Sequence, residues 1–107
     1  MKLLTKTLEK QIPPIGSQAE NPNPKVYAKF FTPWSHWTWY VTEYDPETRI
    51  CFGYVQGIED EWGSFSLEEL EEINGPLGLK IERDLYFTPK PVKELLWVFS
   101  GQSSLRV

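Results

Sequence analysis

The chain has one cysteine, one histidine and one methionine among its 107 residues. A lone Cys51 rules out an internal disulfide. With only His36 beside it, the usual tetrahedral zinc sets are excluded, because these need several Cys or His ligands. Glycine-rich phosphate loops are also missing. Gly75-Pro76-Leu77-Gly78 has neither the spacing nor the Lys-Ser/Thr pair that cradles a phosphate. No apolar run approaches the ~20 residues of a membrane span. Charge punctuates the first ten residues, where a secretory signal would place an apolar region. The expectation is a cytoplasmic protein that needs no membrane and no cofactor. Basic runs are lacking too. The net charge is −4, and Lys and Arg are scattered rather than gathered into the face that phosphate binding requires.

Aromatic rings and one acidic segment, by contrast, are concentrated. Residues 27–44 hold eight of the sixteen aromatic residues, and residues 59–72 hold seven carboxylates with no Lys or Arg. The length suits one domain with one core, expected over residues 1–99, with 100–107 as a loose tail.

Leu4, Leu8 and Ile12 recur at spacing four, which predicts a short helix capped by Thr5 and stopped by Pro13-Pro14. Composition makes residues 16–24 a loop. Period-two alternation then predicts strands at Lys25–Phe31, Trp37–Tyr44, Arg49–Ile58 and Trp62–Phe65. Asp45-Pro46-Glu47-Thr48 is a type I turn sequence. Gly53 and Gly57 mark close backbone approach or a bulge. Ser66-Leu67-Glu68-Glu69 is a capping box, with Phe65 and Leu70 placed as a hydrophobic staple. Asn74-Gly75-Pro76 should stop that helix with Gly75 at positive φ. A further strand is expected at Leu79–Phe87 and a last helix at Val92–Phe99. The fold class is α+β: a twisted antiparallel meander of four to five strands with two or three short helices packed on it.

Tyr27–Pro33, Trp37–Glu43, Phe52–Val55, Glu61–Leu70, and Gly75–Leu79 running on to Glu82-Arg83-Asp84 occur in an order that resembles the bacterial family known as domain of unknown function 2958. The resemblance spans about Leu3 to Pro91. The loop at 16–24 and the tail after Glu94 depart from it. It implies a bacterial protein without an assigned activity, of a kind carried on mobile elements and at times found beside DNA-processing or anti-restriction domains. It implies no catalytic residues.

The four glutamates of residues 68–72 are explained by a capped, solvated helix start. Cys51, between Ile50 and Phe52, reads as a buried inert thiol, although a Cys51/His36 nucleophilic pair is conceivable by residue type. Strict alternation places Trp37, Trp39, Phe30 and Phe52 in the core. The opposite face then carries Tyr27, Lys29, Phe31, Thr38, Tyr40, Thr42 and Tyr44. On the Glu82–Asp84 strand, Arg83 opposes its two carboxylate neighbours and ion pairs with Lys29 or Glu43 are expected.

The candidate binding set is Tyr27, Lys29, Phe31, Tyr40, Glu43, Arg83 and Asp84. The favoured function is a non-enzymatic binding or accessory module that meets a protein partner, or a second copy of itself, through this aromatic face. Two alternatives stay open. One is a binder of single-stranded nucleic acid through Lys29, Tyr27, Tyr40 and Arg83, or an anti-restriction or DNA-processing accessory. The other is a small metal-dependent enzyme using Glu43, Glu82 and Asp84. Alternatively, the terminal helices cover the second face and make it another core layer.

Overall fold

The computed structural model describes residues 2–95. Expectations for the end of the last helix and for the tail at 100–107 fall outside these residues. In chain order the elements are α1 (Lys6–Gln11), β1 (Lys25–Val26), β2 (Ala28–Phe31), β3 (Thr38–Asp45), β4 (Ile50–Gln56), β5 (Asp60–Ser66), α2 (Leu67–Glu72), a 3-10 turn (Pro76–Gly78), β6 (Glu82–Arg83) and β7 (Lys90–Pro91). The chain is helical again at 92–95. Five strands form one antiparallel sheet in the order β5-β4-β3-β2-β6, and β1 pairs with β7 in a separate two-stranded ladder. The α+β class and the meander are as the alternation predicts. No helix among the described residues is long and apolar enough to cross a membrane.

Both caps form where the sequence places them. The Thr5 hydroxyl accepts from Leu8 N at 3.1 Å and the Ser66 hydroxyl from Glu69 N at 3.1 Å. Each satisfies a helix-start amide that has no intrahelical partner. Leu4, Ile12, Leu67 and Leu70 are buried, and with Leu3 they lay both helices on one face of the sheet, against Phe30, Trp39 and Val41. This is the main core.

Three local expectations are corrected. The first concerns register. Val41 pairs with Gly53 but Glu43 pairs with Phe52, so Thr42 is an extra residue in β3. A bulge of this kind reverses the alternation beyond it. Tyr44, expected beside Tyr40, therefore turns into the main core with Cys51, while Phe52, expected in the core, turns to the opposite face. Gly53 shows why the bulge lies there: a Cβ on it would collide with the Tyr40 carbonyl and lie 3.2 Å from Val41 Cα. A second break, at Tyr27 between β1 and β2, sends Val26 to the Tyr40 side and packs Tyr27 against the main core.

The second correction is Gly75. Its φ is −90°, and its lack of a side chain instead makes room for Trp34, whose ring would lie 2.5 Å from a Cβ there. The positive φ values fall at Leu77 and Gly78. Third, the strand expected at Leu79–Phe87 shrinks to two residues, because Asp84 forms an Asx turn: its Oδ1 accepts from Tyr86 N at 2.9 Å.

The opposite face of the sheet is covered in its middle. Val26, Tyr40 and Val92 form a second buried cluster, with Tyr54, Phe87 and Leu95 packed on it. The loop after α1 covers the bulged end. Residues 39–44 of β3 are thus all buried.

Candidate functional site

Among the described residues, two grooves lie at the two ends of the covered middle of the sheet's second face. One, of about 560 Å³, runs between the start of β3, the end of β2 and the turn after β6, with Lys29, Phe31, Trp37, Thr38, Glu82 and Asp84 in its wall. The other, of about 470 Å³, lies beneath the loop after α1 and is bounded by Ile15, Pro22, Glu43, Phe52 and Trp62.

The first groove is built by register. β2 and β6 pair so that Phe31 opposes Glu82 and Phe30 opposes Arg83. Asp84 N donates to Lys29 O at 2.9 Å, which sets Asp84 beside Lys29. The Lys29 ammonium lies 3.9 Å from the Asp84 carboxylate, both side chains about a third exposed, so the pair is a rim contact of small net energy. Arg83 turns to the other face, where its Nη1 donates to Leu3 O at 2.6 Å and ties the N-terminal segment to the sheet edge. At the β2–β3 turn, Thr32 Oγ1 contacts Ser35 Oγ and accepts from Trp37 N at 3.2 Å. The Trp37 ring stacks on Trp39 with centroids 5.8 Å apart and covers Gly57, so the apolar wall is held rigidly. Leu85 and Tyr86, at the tip, are 68% and 94% exposed, an apolar pair standing in solvent.

Lys29, Phe31 and Asp84 therefore come together around this groove, and Arg83 borders it while its guanidinium lies on the other face. Three of the seven candidate residues lie elsewhere. Tyr27 is half-buried against the main core, with the Lys25 ammonium 5.5 Å from its ring centre. Tyr40 is buried beneath the terminal segments, and burial first, then the charges of Asp60 and Asp84, pushes its phenol up to about 12. Glu43 is buried in the bulge, where its two oxygens accept from Gly16 N and Gln18 N, each at 2.8 Å. Gln18 in turn donates to Lys25 O and Thr42 O and accepts from Lys25 N. The carboxylate thus fastens the loop after α1 to β3. It faces the second groove and Asp84 the first. Among the described residues no three His, Cys, Asp or Glu side chains converge as metal ligands.

Cys51 and His36 do not meet. Cys51 pairs with Tyr44, and His36 precedes the opposite end of β3, about 20 Å along the strand at the usual rise. Burial raises the Cys51 thiol to about 12, so it holds no thiolate near neutral pH. Sequence reasoning missed Tyr86 as a groove residue, because it was placed inside a strand that ends before it. Trp37 packs against the main core as alternation expected, and it borders the groove as well.

Neither curated proteins nor solved structures gave a significant match to the chain. A family model does match, over residues 3–98, and its description is a protein of unknown function (DUF2958). With most of its length covered, the chain belongs to that family.

Proposed function

We propose that the protein is a non-enzymatic binding module of a bacterial mobile element, working in the cytoplasm and holding a protein partner in the groove between β2, β3 and the turn after β6. The observation that carries this reading is the groove's makeup: a fixed apolar wall of Phe31 and Trp37, a polar rim of Lys29, Glu82 and Asp84, and the exposed Leu85–Tyr86 tip. An apolar anchor point inside a polar rim is the usual anatomy of a protein-binding patch. Such a partner would bring an apolar side chain to Phe31 and Trp37 and a cationic one to Glu82. The setting on mobile elements rests on family resemblance alone.

Nucleic acid fits this groove less well. Arg83 donates to Leu3 O on the other face, and a phosphate arriving at Lys29 would also meet the carboxylates of Glu82 and Asp84. The test places a photo-crosslinking amino acid at Tyr86 in the bacterial host, with and without Phe31→Ala. A discrete crosslinked protein that disappears with Phe31→Ala is expected. Crosslinks to nucleic acid, or a protein adduct unchanged by Phe31→Ala, would refute the reading.

A further inference from the structure

The groove leaves unexplained the far edge of the sheet. β5 runs seven residues, Asp60–Ser66, and among the described residues pairs only with β4. Leu67 N donates to Arg49 O and Gly57 N to Glu59 O, with an unbroken register between them. In an antiparallel ladder, bonded pairs alternate. The odd-numbered residues of β5 therefore face β4, and Asp60, Trp62 and Ser64 turn their amides and carbonyls outward.

Natural sheets blunt such an edge with proline, charged side chains, a bulge, brevity or a covering segment. β5 carries charge only at its start, Asp60-Glu61, and from Trp62 to Ser66 none of these protects it among the described residues. Gly63 sits at its centre with open space where a Cβ would stand, so nothing among the described residues requires glycine there. A glycine in mid-strand suits the close approach of another backbone. Trp62 is 41% exposed, its ring stacked at 6.1 Å on Phe52, and gives an incoming strand an apolar side to lie against.

Charge identifies the occupant. The neutral stretch Trp62-Gly63-Ser64-Phe65-Ser66 has Glu59, Asp60 and Glu61 at one end and the exposed Glu68 and Glu69 of α2 at the other. A second copy paired antiparallel about Gly63 would set Glu59–Glu61 of each chain near Glu68 and Glu69 of the other, like charge against like. We propose that the β5 edge accepts, by strand addition, an extended segment of a partner protein that has an uncharged β-prone centre and Lys or Arg at both ends. This surface is independent of the groove across the sheet.

The probe is a blocked eleven-residue peptide with Lys-Arg at each end and alternating Val and Thr between, titrated into 15N-labelled protein. The Trp62 and Ser64 amides are expected to shift and to exchange with solvent roughly tenfold more slowly at saturation. Ser64→Pro removes only an outward amide and should weaken binding roughly tenfold or more, while Lys29→Ala in the groove should leave it unchanged. A peptide N-methylated along its pairing edge should not bind, which decides the matter even if Ser64→Pro fails to fold. The proposal is overturned by absence of binding at millimolar peptide, by undiminished binding to folded Ser64→Pro, or by equal binding of a peptide with Glu at its ends. It is also overturned by self-association of the protein that Ser64→Pro abolishes, which would make a second copy the occupant.

Discussion

Replacing Glu43 separates a structural role from a functional one. The carboxylate is 4% exposed and accepts two amides at 2.8 Å from a loop some 25 residues away. Hydrogen bonds to a charged group contribute about 1.5–3 kcal/mol each, and an orphaned buried donor costs about 1–3 kcal/mol. Glu43→Gln keeps one accepting oxygen and turns an amide NH2 toward the second donor. Part of that loss is offset because a neutral amide is cheaper to bury than a carboxylate. The net destabilisation works out at about 1–3 kcal/mol. Glu43→Ala loses both acceptors and should cost about 2–5 kcal/mol. With a urea slope on the order of 1 kcal/mol/M for a chain of this size, Glu43→Gln should lower the unfolding midpoint by about 1 M or more at unchanged slope. A variant within about 0.5 kcal/mol of wild type would refute the reasoning. If such a variant also lost its partner, Glu43 would be a binding residue after all.

Gly53→Ala should not yield a native fold, since its Cβ meets the Tyr40 carbonyl in the backbone of the central strand; circular dichroism and an amide NMR spectrum will show this. Arg49 holds φ at 59° and donates to Glu71 at 2.8 Å. Arg49→Ala should therefore be less stable than Arg49→Gly by about 1 kcal/mol, because glycine alone relieves the left-handed backbone, a difference urea denaturation will read. Tyr40 and Cys51 both bind their protons more tightly when folded, so the stability they confer is complete below the unfolded pKa values, ordinarily 10.0 and 9.0. It is lost as pH climbs toward about 12. Denaturation midpoints should fall across that window, and Tyr40→Phe should flatten the part above pH 10. At neutral pH a thiol reagent should react with Cys51 only at the rate of unfolding.

The meander and both helix caps were legible because each is written in local residue types. So was a turn after Asp45, although it runs one residue past Thr48 and closes with Arg49 N donating to Asp45 O. The two breaks in alternation were not. An extra residue at Thr42 has no sequence mark of its own, and strict period two therefore misassigned Tyr44 and Phe52. The clue lay on the neighbouring strand, in Gly53, which pointed to close approach or a bulge without saying on which strand the bulge would fall. Lys29, Phe31 and Asp84 were read as parts of one sheet face and its margin. The pairing of β2 with β6 does bring them to one groove, which period two alone does not reveal. The work of Glu43 was invisible, since nothing near it in sequence tells that its partners are amides of Gly16 and Gln18.

A strand buried on both sides has a consequence for how the chain comes apart. β1 and β7 have only two residues each, too little to persist as a sheet by themselves. Yet the layer they form rests on Tyr40, whose strand neighbours Trp39 and Val41 anchor the main core. Loosening either layer removes support from the wall they share. The covering segments should therefore melt together with the sheet in one transition, rather than lifting away as a flap.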